Sequence, residues 1–381
     1  MRIQLTLSLL LAALFSGPTS LTGNDKMWVF VGTYTQGDSE GIYVLQLDLE
    51  TGKLTKKSVV VSENPSFVAI HPSGEFLYAV NEVSKFKGKS AGAVSSFAFD
   101  ASSGKLTPLN QQSSKGPGPC HLVVNKTGSC VVTANYGGGS VVSHRIRKDG
   151  RLSKPVSFIQ HEGSSVNPQR QKGPHGHSIN IDHSGRFAVA ADLGLDKLLV
   201  YRINTRKGTL EPHSPASTSV APGAGPRHFA FYPNGKNACV INELLRTVTV
   251  FNWNSKAGTL KEIQTLSTLP QDAKPIGSTA EVQVHPSGKF VYGSNRGHDS
   301  IVVYAVDSKT GKLTWVENEP TGGRTPRNFG IDPTGTFLLA ANQSTNNIVV
   351  FQIDQKTGEL NTTGNAIDIP TPVCVKMLPV K

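Results

Sequence analysis

The side chains best suited to chemistry in this chain are Glu82, His121, His177, Arg227, His228, Glu243, Arg296 and Arg327. Guanidiniums beside a carboxylate and an imidazole are the parts needed to hold an anion, keep a carboxylate ionised and move a proton. Residues so far apart act together only if the fold gathers them, and residues 222–243 (PGAGPRHFAFYPNGKNACVINE) show how it could. The second half of that stretch is two short apolar runs around a Pro-Asn-Gly turn, which reads as a β-hairpin. Arg227 and His228 open its first strand and Glu243 closes its second, so the hairpin brings all three to one end.

The hairpin is one copy of a repeat. A turn glycine flanked by apolar strands recurs at Gly74, Gly128, Gly185, Gly235, Gly288 and Gly335. Seven residues after each comes Asn81, Asn135, Asp192, Asn242, Asn295 or Asn342. A third strand follows, then a Gly-x-Leu turn at Gly52, Gly104, Gly150, Gly208, Gly258, Gly311 and Gly358, leading to a weaker fourth strand. From Gly52 to Gly358 is 306 residues over six intervals, a mean of 51. Six complete units leave one Gly-x-Leu over, and the termini account for it. Residues 28–34 match the second strand, with Thr33 in place of Asn or Asp, and residues 41–47 match the third. The missing first strand is supplied by residues 371–378, which align with 325–331. The expected fold is therefore all-β: a seven-bladed β-propeller of four-stranded antiparallel blades, its ring closed by N- and C-terminal strands in one blade.

Composition agrees. Charged residues are 17% of the chain, and glycine (38) and proline (23) are plentiful, which suits short strands and tight turns. Lys+Arg 38 against Asp+Glu 27 gives +11, a surface that favours anionic partners. There is no run of like charge, basic helix or zinc-finger spacing, so no nucleic-acid partner is expected. Residues 1–23 read as a secretory signal peptide: one Arg, an apolar stretch, then small residues. Residues 24–381 form the propeller domain, exported to the periplasm or medium and expected to act as a monomer without membrane contact. Cys120, Cys130, Cys239 and Cys374 lack any metal spacing and read as small buried hydrophobes.

In a propeller the innermost strands line the channel, and ligands bind at one mouth. Eight residues before each turn glycine stand Ser66, Cys120, His177, Arg227, Ala280 and Arg327, followed by Phe67, His121, Ser178, His228, Glu281 and Asn328. The second strands end at the same mouth, each with its Asn or Asp. That ring recurs in every blade and reads as structural, satisfying turn backbone groups. Glu82, Glu243 and Arg296 follow it in some blades only. Symmetry does not demand them, so they mark a site. His71, His183 and His285 precede the turn glycines and read as structural surface residues. His175 and His177 have no carboxylate at ligand spacing, so no metal is expected. Glycines 137–139 open no helix, and no Gly-x-Ser-x-Gly elbow occurs, which leaves no phosphate loop or serine nucleophile. No cofactor is expected.

With those residues in place, the chain resembles the lactonase family of seven-bladed propellers, which includes propeller-type 6-phosphogluconolactonases and carboxy-cis,cis-muconate cyclases. The pieces that carry the likeness are VGTYT, NPSFVAIHPSGEFLYAVNE, GAGPRHFAFYPNG, INEL, SNRGHDSI and TPRNFGIDPTG, in this order and spacing. The resemblance implies an active site of His177, Arg227, Glu243 and Arg296 that takes a small anionic lactone or sugar acid as substrate and hydrolyses the lactone. Glu243 or His177 would be the base, with Glu243 preferred and His177 as its proton partner. Arg227 would stabilise the oxyanion and Arg296, with Arg327, would hold an anionic substituent; His121, His228 and Glu82 would complete the substrate site. Two alternatives share the same cluster: a non-enzymatic exported propeller that binds a ligand or protein at its mouth, and a muconate-type cyclase.

Overall fold

The computed structural model describes residues 25–380, so the leader expected at residues 1–23 lies outside the described residues. Seven four-stranded antiparallel sheets follow one another around a ring. Blade 1 comprises Val68–Ile70, Phe76–Asn81, Ala93–Asp100 and Lys105–Ser113, from the channel outward. Blades 2 to 6 begin at the inner strands Pro119–Val124, Gly176–Ile181, Pro226–Phe231, Ser278–Val284 and Pro326–Ile331. In blade 7, Lys26–Thr33 lies between Gly41–Asp48 and the C-terminal strand Pro372–Pro379, with Leu54–Val61 outermost. Both chain ends thus share one sheet, as the repeat arithmetic requires.

Apolar side chains leave both faces of each blade, and the core is a series of layers between neighbours. Trp28, Phe30 and Cys374 of blade 7 pack with Phe67, Leu77 and Phe97 of blade 1. On the other face Met27, Val29 and Val375 pack with Phe337 and Leu339 of blade 6. Each buried Val, Leu or Phe is worth about 1.5–3 kcal/mol, and none is available to a blade alone. The Gly-x-Leu glycines recur for the same reason. Gly258 has φ +67, and a Cβ there would stand 2.5 Å from the Phe187 ring of the preceding blade; Gly358 has φ +81 and meets Phe290 at 2.4 Å. Glycine alone supplies both the left-handed turn and the close approach.

Two expectations need adjustment. His71, His183 and His285 are structural, but they tie blades together: their Nε2 atoms lie 3.1, 2.8 and 2.9 Å from the carbonyls of Gly128, Tyr232 and Gly335 in the next blade. His285 is accordingly buried, not on the surface, because its ring fills the inter-blade seam. A ribbon of Lys85–Phe86 and Lys89–Ser90 also interrupts blade 1, turning through Lys87 and Gly88 at φ 49 and 75. That two-residue turn is too short to register against a repeat of about fifty residues. The four cysteines are buried and unpaired.

Closure makes a direct prediction. A chain ending before Pro372 loses the inner strand of blade 7 and exposes apolar faces of blades 1 and 6. It should lose cooperative thermal unfolding altogether; a truncated protein melting within a few degrees of the full chain would contradict closure.

Candidate functional site

Every inner strand from blade 2 to blade 6 carries a β-bulge where the polar residues occur. The register shifts between Pro119 and His121, Gly176 and Ser178, Pro226 and Phe229, Thr279 and Val282, and Pro326 and Asn328. A bulge inserts an extra residue and breaks the alternation of side chains along the strand. Arg227 and His228, which regular alternation would send to opposite faces, therefore both line one small axial cavity. The sequence pattern placed these residues at the mouth; the bulge is what turns them inward.

Glu243 is the centre of the cluster. Its Oε2 lies 3.0 Å from Arg227 Nε and 3.1 Å from Arg296 Nη2, and its Oε1 lies 2.8 Å from Arg170 Nη2. His177 Nε2 stands 3.7 Å from Oε2, near but not hydrogen-bonded. Arg227, 2% exposed, also donates from Nη1 to the Ala280 carbonyl at 2.7 Å, and Arg296 donates to the Thr279 carbonyl at 2.7 Å. The four residues anticipated as the catalytic group are thus brought into one contact cluster.

Burial pushes the Glu243 carboxyl upward, but Arg296, Arg227 and Arg170 outweigh it and hold the group down to about 2. His177 moves the other way. Burial, reinforced by Arg227 and His228, holds its imidazole well below the usual histidine range, so the ring is neutral at pH 7. Burial and the neighbouring Arg227 lower the Arg296 guanidinium to about 9, which leaves it charged. Its Nε is buried with no hydrogen-bond partner among the described residues.

The remaining expected residues divide into two groups. Glu82 and Arg327 line the same cavity as His177 and Arg227. Tyr34 joins them, donating to Glu82 Oε2 at 3.0 Å and accepting from Arg327 at 3.1 Å, while Ser66 donates to the same Glu82 oxygen. His228 and His121 sit deeper. His228 Nδ1 lies 3.0 Å from Glu281 Oε1, and Asn328 donates to the second Glu281 oxygen. The rings of Phe67, His121 and His228 pack together, with centroids 4.3 to 5.7 Å apart. Phe67 borders both the axial cavity and a separate cavity of about 320 Å³ toward the other end, where His121 also faces. These rings are a floor under the charged cluster, and His121 stands on its far side.

Three members were missed. Glu281 was counted in the repeat but assigned no role; its partner His228 was the available signal. Tyr34 follows Thr33, the residue standing in for the Asn/Asp ring, and so occupies the place that Glu82 and Glu243 hold in their blades. Arg170 lies outside the repeat, in the connector from Gln160 to Gly176, the longest link between one blade's outer strand and the next blade's inner strand. The length of that polar insertion was its only signal. The Asn/Asp ring behaves as read: Asn135, Asn295 and Asn342 donate to the carbonyls of Ser114, Thr268 and Thr321. Cys120 is no nucleophile, since burial pushes its thiol up and it donates to the His177 carbonyl at 3.2 Å. Among the described residues no group of three or more His, Cys, Asp or Glu could hold a metal ion.

Because its folded-state pKa is depressed from 4.5 to about 2, Glu243 adds stability above pH 4.5 that disappears as pH falls toward 2. Glu243→Gln should lower stability by about 3 kcal/mol at pH 7, with the gap to wild type closing between pH 4.5 and 2. A gap that persists unchanged at pH 2 in denaturant titrations would show that Glu243 stabilises by something other than charge.

The family described as "Lactonase, 7-bladed beta-propeller" matches residues 28–377. A 6-phosphogluconolactonase of Bacillus subtilis (strain 168) is 41% identical over 350 residues, covering 92% of this chain and 97% of that one. A 6-phosphogluconolactonase of Formosa agariphila is 34% identical over 309 residues, covering 80% and 86%. Among solved structures, a periplasmic gluconolactonase of Pseudomonas aeruginosa superposes with TM-score 0.88 at 32% identity, covering 93% of this chain and all of the other. The chain belongs to the seven-bladed propeller lactonase family.

Proposed function

We propose that this protein hydrolyses the ester bond of a sugar δ-lactone, with 6-phospho-D-glucono-1,5-lactone as the leading substrate. The observation that carries this is an ionised carboxylate ringed by three guanidiniums beside a neutral imidazole, at the channel mouth of a lactonase-family propeller. The named activity of the Bacillus and Formosa relatives supports the choice of lactone. Export belongs to the same reading, supported by the leader-like sequence of residues 1–23 and by the Pseudomonas relative described as periplasmic.

Hydrolysis requires a water to attack the ring carbonyl, a base to take its proton, and charge to meet the oxyanion. Glu243 is ionised, as the flanking arginines led us to expect, but guanidinium N–H groups occupy both its oxygens, which leaves it a poor proton acceptor. We therefore assign the base to His177, neutral and 3.7 Å from Glu243 Oε2. It takes the water proton as the bond from water oxygen to the carbonyl carbon forms, and passes it to the ring oxygen as the bond between that carbon and the ring oxygen breaks. Glu243 stabilises the transient imidazolium and fixes the guanidiniums. Arg227 and Arg296 face the developing oxyanion; Arg296's tie to the Thr279 carbonyl and its unpartnered buried Nε suit that role better than holding a distant substituent. Arg327 and Tyr34 contact the substrate ring from the other wall.

Losing one such donor typically costs about 10²–10³ in rate. Arg227→Ala should lower kcat on δ-gluconolactones by that order while circular dichroism stays that of a β-propeller. A loss under threefold would remove Arg227 from the mechanism, and no hydrolysis of phosphorylated or plain lactones above the spontaneous rate would overturn the enzymatic reading.

A further inference from the structure

Arg170 differs from the other arginines of the cluster in origin and exposure. Arg227, Arg296 and Arg327 rise from strands, whereas Arg170 hangs over the mouth from the connector between blades 2 and 3. The sequence there is built to hold one residue in place. Asn167 Oδ1 accepts the backbone N–H groups of Gln169 and Arg170, both at 3.0 Å. Gln171, fully buried, donates to the Leu193 carbonyl and to Asp196, both at 2.8 Å. Arg170 is thus held between an Asx turn and a buried anchor, yet its own side chain is 40% exposed, against 7% for Glu243 beneath it.

Its bonding is one-sided. Nη2 makes both recorded contacts, to Glu243 Oε1 at 2.8 Å and to the Tyr136 hydroxyl at 3.0 Å, and neither Nε nor Nη1 bonds a described residue. Three guanidiniums meeting one carboxylate leave two positive charges unmatched at that contact. Two of the three are also tied to buried carbonyls, Arg227 to Ala280 and Arg296 to Thr279. Arg170 is the one that can leave, and Glu243 would still keep two cations on Oε2.

We propose that Arg170 recognises a dianionic phosphate on the substrate, leaving Glu243 Oε1 to grip that phosphate as the lactone enters, an inference that rests on the lactonase reading above. A guanidinium fork matches phosphate oxygens in pairs, and Nη2, once it leaves Glu243, completes such a fork with the unpartnered Nε or Nη1. The two unmatched charges equal those of the phosphate dianion. A plain aldonolactone has nothing to draw Arg170 away from the carboxylate, so the same contact that rewards a phosphorylated ring leaves a plain one unassisted. Arg170 is in this account a specificity residue; the proton transfer belongs to His177.

Calorimetric titration of the full mature chain with 6-phosphogluconate and with gluconate tests this without relying on turnover. Wild type should bind the phosphorylated acid at least tenfold more tightly than gluconate. Arg170→Gln should cut that advantage below threefold, and Arg170→Lys, which keeps the charge but not the fork, should fall between. An Arg170→Gln protein that keeps the wild-type ratio, or a wild type with no preference for the phosphorylated acid, would overturn the proposal. Turnover of δ-gluconolactone by wild type is read in parallel. Absence of turnover on both this lactone and its 6-phosphorylated form would sink the lactonase reading, while the binding ratios would still decide the role of Arg170.

Discussion

One carboxylate organises the mouth of this propeller. Glu243 is nearly buried and would be costly to ionise there alone, yet three guanidiniums make the charged form the stable one. The dependence is mutual. Arg227, among the largest fully buried side chains, would be an uncompensated charge without Glu243. Because Arg227 and Glu243 belong to blade 4, Arg296 to blade 5 and Arg170 to the link between blades 2 and 3, the knot forms only when those blades are in register. His177 of blade 3 is then buried beside these guanidiniums, and burial first and Arg227 second keep its imidazole neutral.

The scaffold and the site use the same positions in different ways. At the end of the second strand in blades 1 to 6 an Asn or Asp bonds backbone or neighbouring side chains, and Asp192 extends that duty by bonding His161 at 2.6 Å and three backbone N–H groups. One residue further on, symmetry ends and Glu82, Glu243 and Arg296 appear. The bulges apply the same economy to the inner strands. An extra residue per strand gives the channel two adjacent side chains where regular pleating would give one, so a charged upper layer and the floor of Phe67, His121 and His228 fit on a short strand.

That contrast also explains what could be read from the sequence. The blade count, the closing blade and the membership of His177, Arg227, Glu243 and Arg296 were legible because each sits at a fixed offset from a turn glycine. The Glu281–His228 pair was half legible, since the offset was visible but the bulges beside both residues have no signature in residue types. Arg170 was not legible. Its position depends on how the 160–176 connector folds over the mouth, which local hydrogen bonds to Asn167 and Gln171 determine and no repeat encodes. The ionisation states lay further out of reach. Residue types suggested Glu243 as base, and the count of arginines on its two oxygens is what motivates the proposal of His177 in its place.

The sharpest test of the account is the pH dependence of kcat/KM for lactone hydrolysis, which reports the base in the free enzyme. If burial and the guanidinium cluster hold His177 neutral, protonation of the base begins well below 6.5, and kcat/KM stays level as pH falls from about 8 to 6. An acid limb with its midpoint at or above 6.5 would mean an imidazole unaffected by its burial and by the arginines around it, and would contradict the arrangement from which the mechanism is built.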